Sequence, residues 1–329
     1  MTPPLLPRQR AQILLESFRR QSVLVVGDLM LDVTISGEAE RVSPEAPVPV
    51  VRVSRESASL GGAGNVARNL AAFGARAIPV GPVGDDEAGR RLRRLAQELG
   101  LPTKGILESS HRPTTVKTRI LSRRQQMLRF DRESDEWLAA EEQRVLIESV
   151  RSLWSGAQAL ILSDYDKGAI SPGLLADLLP AAREQGLTVV VDPKIRNFPR
   201  YRPIDAITPN RGEAARALNL RVMADAEVEA AGRAIQERLG HPLVLLTLGE
   251  TGVSVFEPSG EHTRIPASAR EVFDVSGAGD TVVAVLALAL AAGASGVEAA
   301  LLANAAGGVV VGKLGTAVAE PWEILASLP

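Results

Sequence analysis

Val23-Leu24-Val25-Val26-Gly27-Asp28 is the stretch that decides the architecture. Four apolar residues, three of them β-branched, run without a polar interruption. A strand with one wet face would alternate, so this run reads as a strand covered on both sides, as in parallel sheets. Working outward, similar runs occur at Ala77–Val80, Ala159–Leu162, Thr188–Val191, Ala206-Ile207 and Leu243–Leu246. Between them lie amphipathic stretches that predict helices over Gly64–Phe73, Glu87–Leu99, Ala140–Trp154, Gly173–Glu184, Arg211–Leu218 and Ala226–Arg238. Strands alternating with helices predict an α/β fold built on a doubly wound, mainly parallel sheet.

Two stretches break that rhythm. Residues 33–60 hold the alternating run Val48–Val53 among Pro44, Pro47 and Pro49, and residues 112–132 hold Thr114–Leu121 and Gln125–Arg132. Both read as strands of a partly exposed antiparallel sheet. The expectation is one domain over residues 1–329 with these segments forming a small β-sheet lid.

Composition narrows the class of protein. The chain has 329 residues, a formal net charge of −2, 45% hydrophobic residues and no cysteine. Bulk attraction to nucleic acid or to anionic membranes is therefore not expected, and disulfides and thiolate chemistry are excluded. The basic N-terminal residues precede no secretory h-region, and Val282–Ala292 is too short to span a bilayer, so a cytoplasmic protein is expected. Only five of the 37 basic residues are Lys, at 104, 117, 167, 194 and 313. A Lys kept against such an Arg bias marks a place where a compact ammonium is needed; genome composition explains the bias equally well.

The candidate chemistry begins at Val275-Ser-Gly-Ala-Gly-Asp-Thr281, directly before the apolar run Val282–Ala292. A glycine turn entering a helix offers backbone N–H groups to an anion. An acid beside it, Asp280, is badly placed to bind the anion but well placed to take a proton; a plain Asp cap is the other reading. Gly27-Asp28-Leu-Met-Leu-Asp32 places Asp28, Met30 and Asp32 on one face if the strand continues, where carboxylates suit sugar hydroxyls or are surface acids. Gly61-Gly62-Ala-Gly-Asn65 opens a helix as a ligand cradle or an ordinary turn. Lys117 and Arg119, two apart in a strand and followed by Arg123 and Arg124, suit a phosphate-bearing substrate or a solvated face. Lys167 and Lys194 each follow a core strand. Asn210 and Glu213 match both a capping box and the magnesium side of a nucleotide site. Thr247-Leu-Gly249-Glu-Thr-Gly252 is a hairpin, the wall of a phosphate site, or both. His111, His241 and His262 lack metal-ligand spacing, and neither a dinucleotide fingerprint nor a Gly-x-Ser-x-Gly elbow is present.

Gly27-Asp28…Asp32, Gly61-Gly62…Asn65, Thr208-Pro-Asn210…Glu213, Thr247-Leu-Gly249…Gly252 and Gly277-Ala-Gly-Asp280, five motifs in that chain order over essentially the whole chain, resemble the ribokinase-like (PfkB) sugar kinase family. The resemblance implies roles. Asp280 would be the base, and the N–H groups of Gly277, Ala278 and Gly279 the anion hole. Asp32, Asn65, Gly61 and Gly62 would hold sugar hydroxyls. Asn210, Glu213, Thr247, Gly249, Gly252 and Asn304 would line the side of ATP and Mg2+, with Glu213 reaching the metal through water. Asp274 would support a monovalent cation such as K+. Within the family, Ser43–Val51, Ser163-Asp-Tyr-Asp-Lys-Gly168 and Asp192-Pro-Lys194 resemble the branch that phosphorylates a heptose 7-phosphate. Members acting on fructose phosphate or ribose, and a non-catalytic binder on the same fold, are the competing readings. Many members of that branch are fused to a nucleotidyltransferase. No His-x-Gly-His motif occurs here, so a kinase acting alone is expected, as a homodimer paired through its lid.

Overall fold

The computed structural model describes residues 6–123, 125–221, 223–268, 272–313 and 315–328. The first part of the chain forms α1 (Arg8–Ser17), β1 (Ser22–Gly27), β2 (Leu29–Val42), β3 (Pro49–Gly62), α2 (Ala63–Ala72), β4 (Arg76–Gly84), α3 (Glu87–Glu98) and β5 (Ile106–Ser109). Next come β6 (Thr115–Ser122), β7 (Gln125–Arg132), α4 (Ala140–Leu153), β8 (Ala159–Ser163), α5 (Pro172–Glu184), β9 (Thr188–Asp192), β10 (Ala206–Ile207) and α6 (Arg211–Ala217). The last part holds α7 (Val228–Leu239), β11 (Leu243–Thr247), β12 (Val253–Phe256), β13 (His262–Ile265), α8 (Ala278–Ala291), α9 (Gly296–Val311) and α10 (Pro321–Ser327).

The main sheet has nine strands in the order β13-β12-β11-β10-β9-β8-β1-β4-β5. Pairing is parallel from β11 through to β5 and antiparallel at β11–β12 and β12–β13. Residues Val23–Val26 of β1 are fully buried because helices cover both faces. Val23 and Val25 belong to a core with α1, α2, α8 and α9, and Leu24 and Val26 to a second core with α4, α5 and α7. The Thr247–Gly252 turn does join an antiparallel pair, as its hairpin reading required.

The chain crosses from one side of β1 to the other between β5 and β8. The C-terminal ends of β1 and β8 therefore flank a topological switch point, the place where open α/β sheets take ligands. Gly27 sits so close to β8 there that a Cβ would lie 2.0 Å from the Ser163 carbonyl oxygen.

The lid is a second sheet of four strands, β3-β2-β6-β7. It was expected to be antiparallel, and two of its three pairings are. The central pairing, β2 with β6, is parallel, because β2 and β6 are joined by a crossover through α2, β4, α3 and β5 rather than by a tight turn. No helix among the described residues is long and apolar enough to cross a membrane.

Candidate active site

Two helix N-termini meet above the switch point. Gly277 caps α8 in the left-handed conformation, φ +79°, and a Cβ there would lie 2.8 Å from Asn65 Nδ2. Glycine is thus demanded twice, by backbone conformation and by close approach. Gly62, φ +54°, caps α2 with equally little room, its absent Cβ 2.4 Å from the Asp28 carbonyl oxygen. The helices are tied by Thr281 Oγ1, which donates to Asn69 Oδ1 at 2.8 Å, while Asn69 Nδ2 donates to the Asn65 carbonyl at 2.9 Å. Each helix end carries partial positive charge.

Asp280 sits in the first turn of α8, only 5% exposed. Its Oδ2 accepts from Asn65 Nδ2 at 2.6 Å and its Oδ1 from the Tyr165 hydroxyl at 2.5 Å. Burial pushes its pKa up to about 6, against the two hydrogen bonds and Lys194, which favour the charge; Asp32 adds to the rise. A carboxylate so placed is ionised at neutral pH yet a far better proton acceptor than an exposed Asp. Of the three expected anion-hole donors, Ala278 N–H is turned back to the Val275 carbonyl at 3.3 Å. Gly277 and Gly279 therefore carry that expectation.

Asp28 departs from its expected role. Its Oδ2 accepts the N–H groups of Tyr165 and Lys167 at 2.8 and 3.1 Å, and its Oδ1 that of Ala169 at 3.0 Å. The carboxylate is consumed by the chain itself and holds the loop after β8; it does not face a sugar. Asp32 does stay at the cleft, where Arg119 meets it at 3.3 Å. A Cβ on Gly61 would press to 2.6 Å from Asp32 Oδ2, so Gly61 makes room for that carboxylate.

The cations differ in how far they are already engaged. Arg119 pairs with Asp32, and Lys167 with Glu133 at 2.7 Å. Lys194 pairs with Glu213; burial opposes its charge, but Asp192 and Glu213 outweigh it and raise its pKa. Lys117 has no carboxylate at ion-pair distance among the described residues. Its ammonium lies 5.2 Å from the centroid of the Tyr165 ring, with that of Lys194 at 5.3 Å, and burial lowers its pKa. Arg124 lies outside the described residues.

On the expected nucleotide side the capping box is real. Asn210 Oδ1 accepts from Glu213 N–H, and Glu213 Oε2 from Asn210 N–H, both at 2.9 Å. With Oε1 on Lys194, both oxygens of the buried Glu213 are engaged. Asp192, at the end of β9 beside them, is the more available carboxylate. Burial and then the charges of Glu213, Asp280 and Asp164 drive its pKa well up, against Lys194. Asn210 and Thr247 come together in a bridge between neighbouring segments. Gly249 and Gly252 form the turn that follows. Asn304 is turned to the segment after β13, donating to the Pro266 carbonyl at 2.8 Å and Ser268 Oγ at 3.1 Å. Asp274 accepts the N–H groups of Ser276 and Gly315 at 2.9 and 3.2 Å, so it organises the approach to the α8 turn.

Sequence reasoning missed Tyr165 and Asp192. Both stand at or just past the ends of core strands, and Tyr165 at the switch point itself. The strand order, had it been legible, was the signal.

The pfkB family carbohydrate kinase model matches residues 20–323. The chain is 49% identical over 93% of its length to the Bifunctional protein HldE of Mesorhizobium japonicum. It is 47% identical over 94% of its length to that of Gluconacetobacter diazotrophicus. It spans 62% and 64% of those two relatives. Among solved structures, phosphofructokinase-2 from Escherichia coli in complex with substrates and products superposes with a TM-score of 0.78 at 24% identity, covering 94% of this chain and 99% of that one. Arabidopsis thaliana ribokinase complexed with ribose and ATP gives 0.72 at 20% identity, covering 93% and 98%.

Proposed function

The chain belongs to the pfkB family of carbohydrate kinases, phosphotransferases acting on a sugar hydroxyl, and from that premise we propose the acceptor and the roles of the residues. The acceptor is D-glycero-β-D-manno-heptose 7-phosphate, phosphorylated by ATP at O1 to the 1,7-bisphosphate, a step toward the ADP-heptose of the lipopolysaccharide inner core. The observation that carries the reaction is the buried Asp280 carboxylate at the N-terminus of α8. A phosphorylated acceptor is favoured by Lys117, a half-buried lid ammonium without a carboxylate partner among the described residues. The segments at 43–51, 163–168 and 192–194 and the relatives named HldE support the heptose.

Asp280 takes the proton of the O1 hydroxyl as that oxygen attacks the γ-phosphorus and the bond to the leaving ADP breaks. The N–H groups of Gly277 and Gly279, reinforced by the α8 dipole, stabilise the charge on the transferred group. Asp32 and Asn65 Oδ1, which has no partner among the described residues, accept sugar hydroxyls. The oxygen donors at the nucleotide side fit a hydrated magnesium ion, with Asp192 and Glu213 holding its waters. Bound there, magnesium supplies charge neutralisation on the phosphates. A potassium ion beside Asp274 belongs to the same proposal. The lid excludes water from ATP. Val53, Leu128 and Phe130, exposed on the lid, are where a second copy would pair, in the cytoplasm that supplies the ATP.

An ATP-coupled assay over a panel of sugars and sugar phosphates tests this, with wild type and Asp280→Asn. Turnover confined to an unphosphorylated sugar or to fructose phosphate removes the heptose. Undiminished turnover in Asp280→Asn removes the base.

A further inference from the structure

We propose that Tyr165 is a positioning residue for the reaction, its hydroxyl holding the Asp280 carboxylate in the proton-accepting orientation while its ring seats the ammonium groups of Lys117 and Lys194. The inference rests on Asp280 being the base.

The geometry is built from three sides. The backbone of Tyr165 is anchored by the buried Asp28, which accepts N–H groups at 165, 167 and 169. The next residue is fixed as well, its N–H donating to Asp164 Oδ1 at 2.7 Å. A loop pinned at four amides over five residues leaves the ring little freedom. The hydroxyl then reaches Asp280 Oδ1 at 2.5 Å, a short charge-assisted bond. With Asn65 on Oδ2, each carboxylate oxygen has one donor and keeps lone pairs for a substrate hydroxyl. The ring is shared by a cation from the lid strand β6 and one from the end of β9. One side chain thus touches the base, the lid and the nucleotide side of the cleft.

A buried tyrosine that merely satisfies its hydroxyl would look similar in a static structure, so the decisive measurement is one that such a role would not move. Asp280 is faced by Asp32 from β2, Lys194 and Asp192 from the end of β9, Asn65 from α2 and Tyr165 itself. Only Tyr165→Phe removes a donor while keeping the ring and every charge.

In Tyr165→Phe the acidic limb of the kcat/KM profile for the acceptor should move up by about one pH unit. That is about a three-fold loss at pH 6.5 beyond any loss at pH 9. A limb that stays in place, or a loss equal at every pH, overturns the proposal.

A second readout needs no substrate. The chain has two tyrosines, so 13Cζ-tyrosine labelling gives two resonances, of which Tyr165→Phe identifies one. Tyr201 bonds to Asp164 at 2.6 Å and serves as the internal control. The Tyr165 resonance should titrate near pH 6 in wild type and lose that inflection in Asp280→Asn, while Tyr201 keeps its own. A Tyr165 resonance insensitive to Asp280→Asn overturns the proposal even if Tyr165→Phe does not fold. Because this arm is independent of turnover, its failure is separate from failure of the kinase assay.

Discussion

Asp280→Asn should abolish turnover and make the protein more stable, and the size of the gain can be worked from the structure. An aspartate in the unfolded chain titrates near ~3.9; in the fold Asp280 is pushed up to about 6. The folded state therefore holds its proton over a window, roughly pH 4 to 6, in which the unfolded state has released it. Stability falls as pH rises through that window and stays lower above it. Two pH units correspond to about 3 kcal/mol, an upper figure because Lys194 and the hydrogen bonds adjust when the charge is removed. An amide avoids the penalty. Its oxygen can still accept from Tyr165, and its NH2 can meet Asn65 Oδ1, which has no partner among the described residues, once that amide turns. A gain of about 1–3 kcal/mol is expected at pH 8. With unfolding entropy near ~2.1 cal/mol/K per residue, that raises Tm by about 1.5–4 °C. The assay is thermal unfolding of wild type and variant at pH 8, 6.5 and 5. The difference should be largest at pH 8 and shrink toward pH 5. Asp164, also held near 6 by burial and Asp28, bends both curves alike and cancels in the difference. A variant less stable than wild type at pH 8, or a difference independent of pH, would refute the reasoning.

Three further outcomes follow from the same site. Among the described residues a Cβ on Gly279 meets nothing within 4 Å, so Gly279→Ala should leave Tm unchanged or slightly raised. The N–H donor stays, but the added methyl would stand where the transferred phosphoryl approaches it and should lower kcat by about 100-fold through misplacement; unimpaired kcat would mean that the phosphoryl does not pass against Gly279. Lys117→Ala should raise KM for the phosphorylated acceptor by about ten-fold with little change in KM for ATP, measured by varying each substrate separately; equal changes in both would return Lys117 to a structural role. Asp28→Asn sets an NH2 against backbone N–H groups and should lower stability by about 1–3 kcal/mol, read by thermal unfolding, with retained stability counting against its loop-holding role.

The architecture was largely legible because each core strand is an apolar run with no wet face. Six of the helices stood out by an amphipathic pattern, and α8 as a short, wholly apolar run. The misses have physical causes. α9 is apolar around nearly its whole circumference, so no period announced it, although Ser295 and Glu298 form a capping box that marks its start. Asp28 falls on the face of Asp32 only if the strand is continuous. In fact β1 ends at Gly27 and β2 begins at Leu29 in another sheet, so the two-residue period does not carry across Asp28. In the sequence Tyr165 stands out only as a neighbour of Lys167. Its partner is 115 residues away, and no local pattern encodes that meeting. By contrast, Asp280 and Asn65 stand in glycine-rich turns that open helices, and two such turns were visible in the chain itself.

The parallel pairing of β2 with β6 has a consequence for engineering. A flap made of one hairpin can be cut out or transplanted as a cassette. This sheet cannot, because β4, β5 and two helices of the main body lie between its two halves in the chain. Removing it means two excisions, one severing β1 from α2 and the other β5 from α4. Any attempt to exchange acceptor specificity by swapping this sheet between kinases must therefore carry part of the body along, or recode its inner face residue by residue.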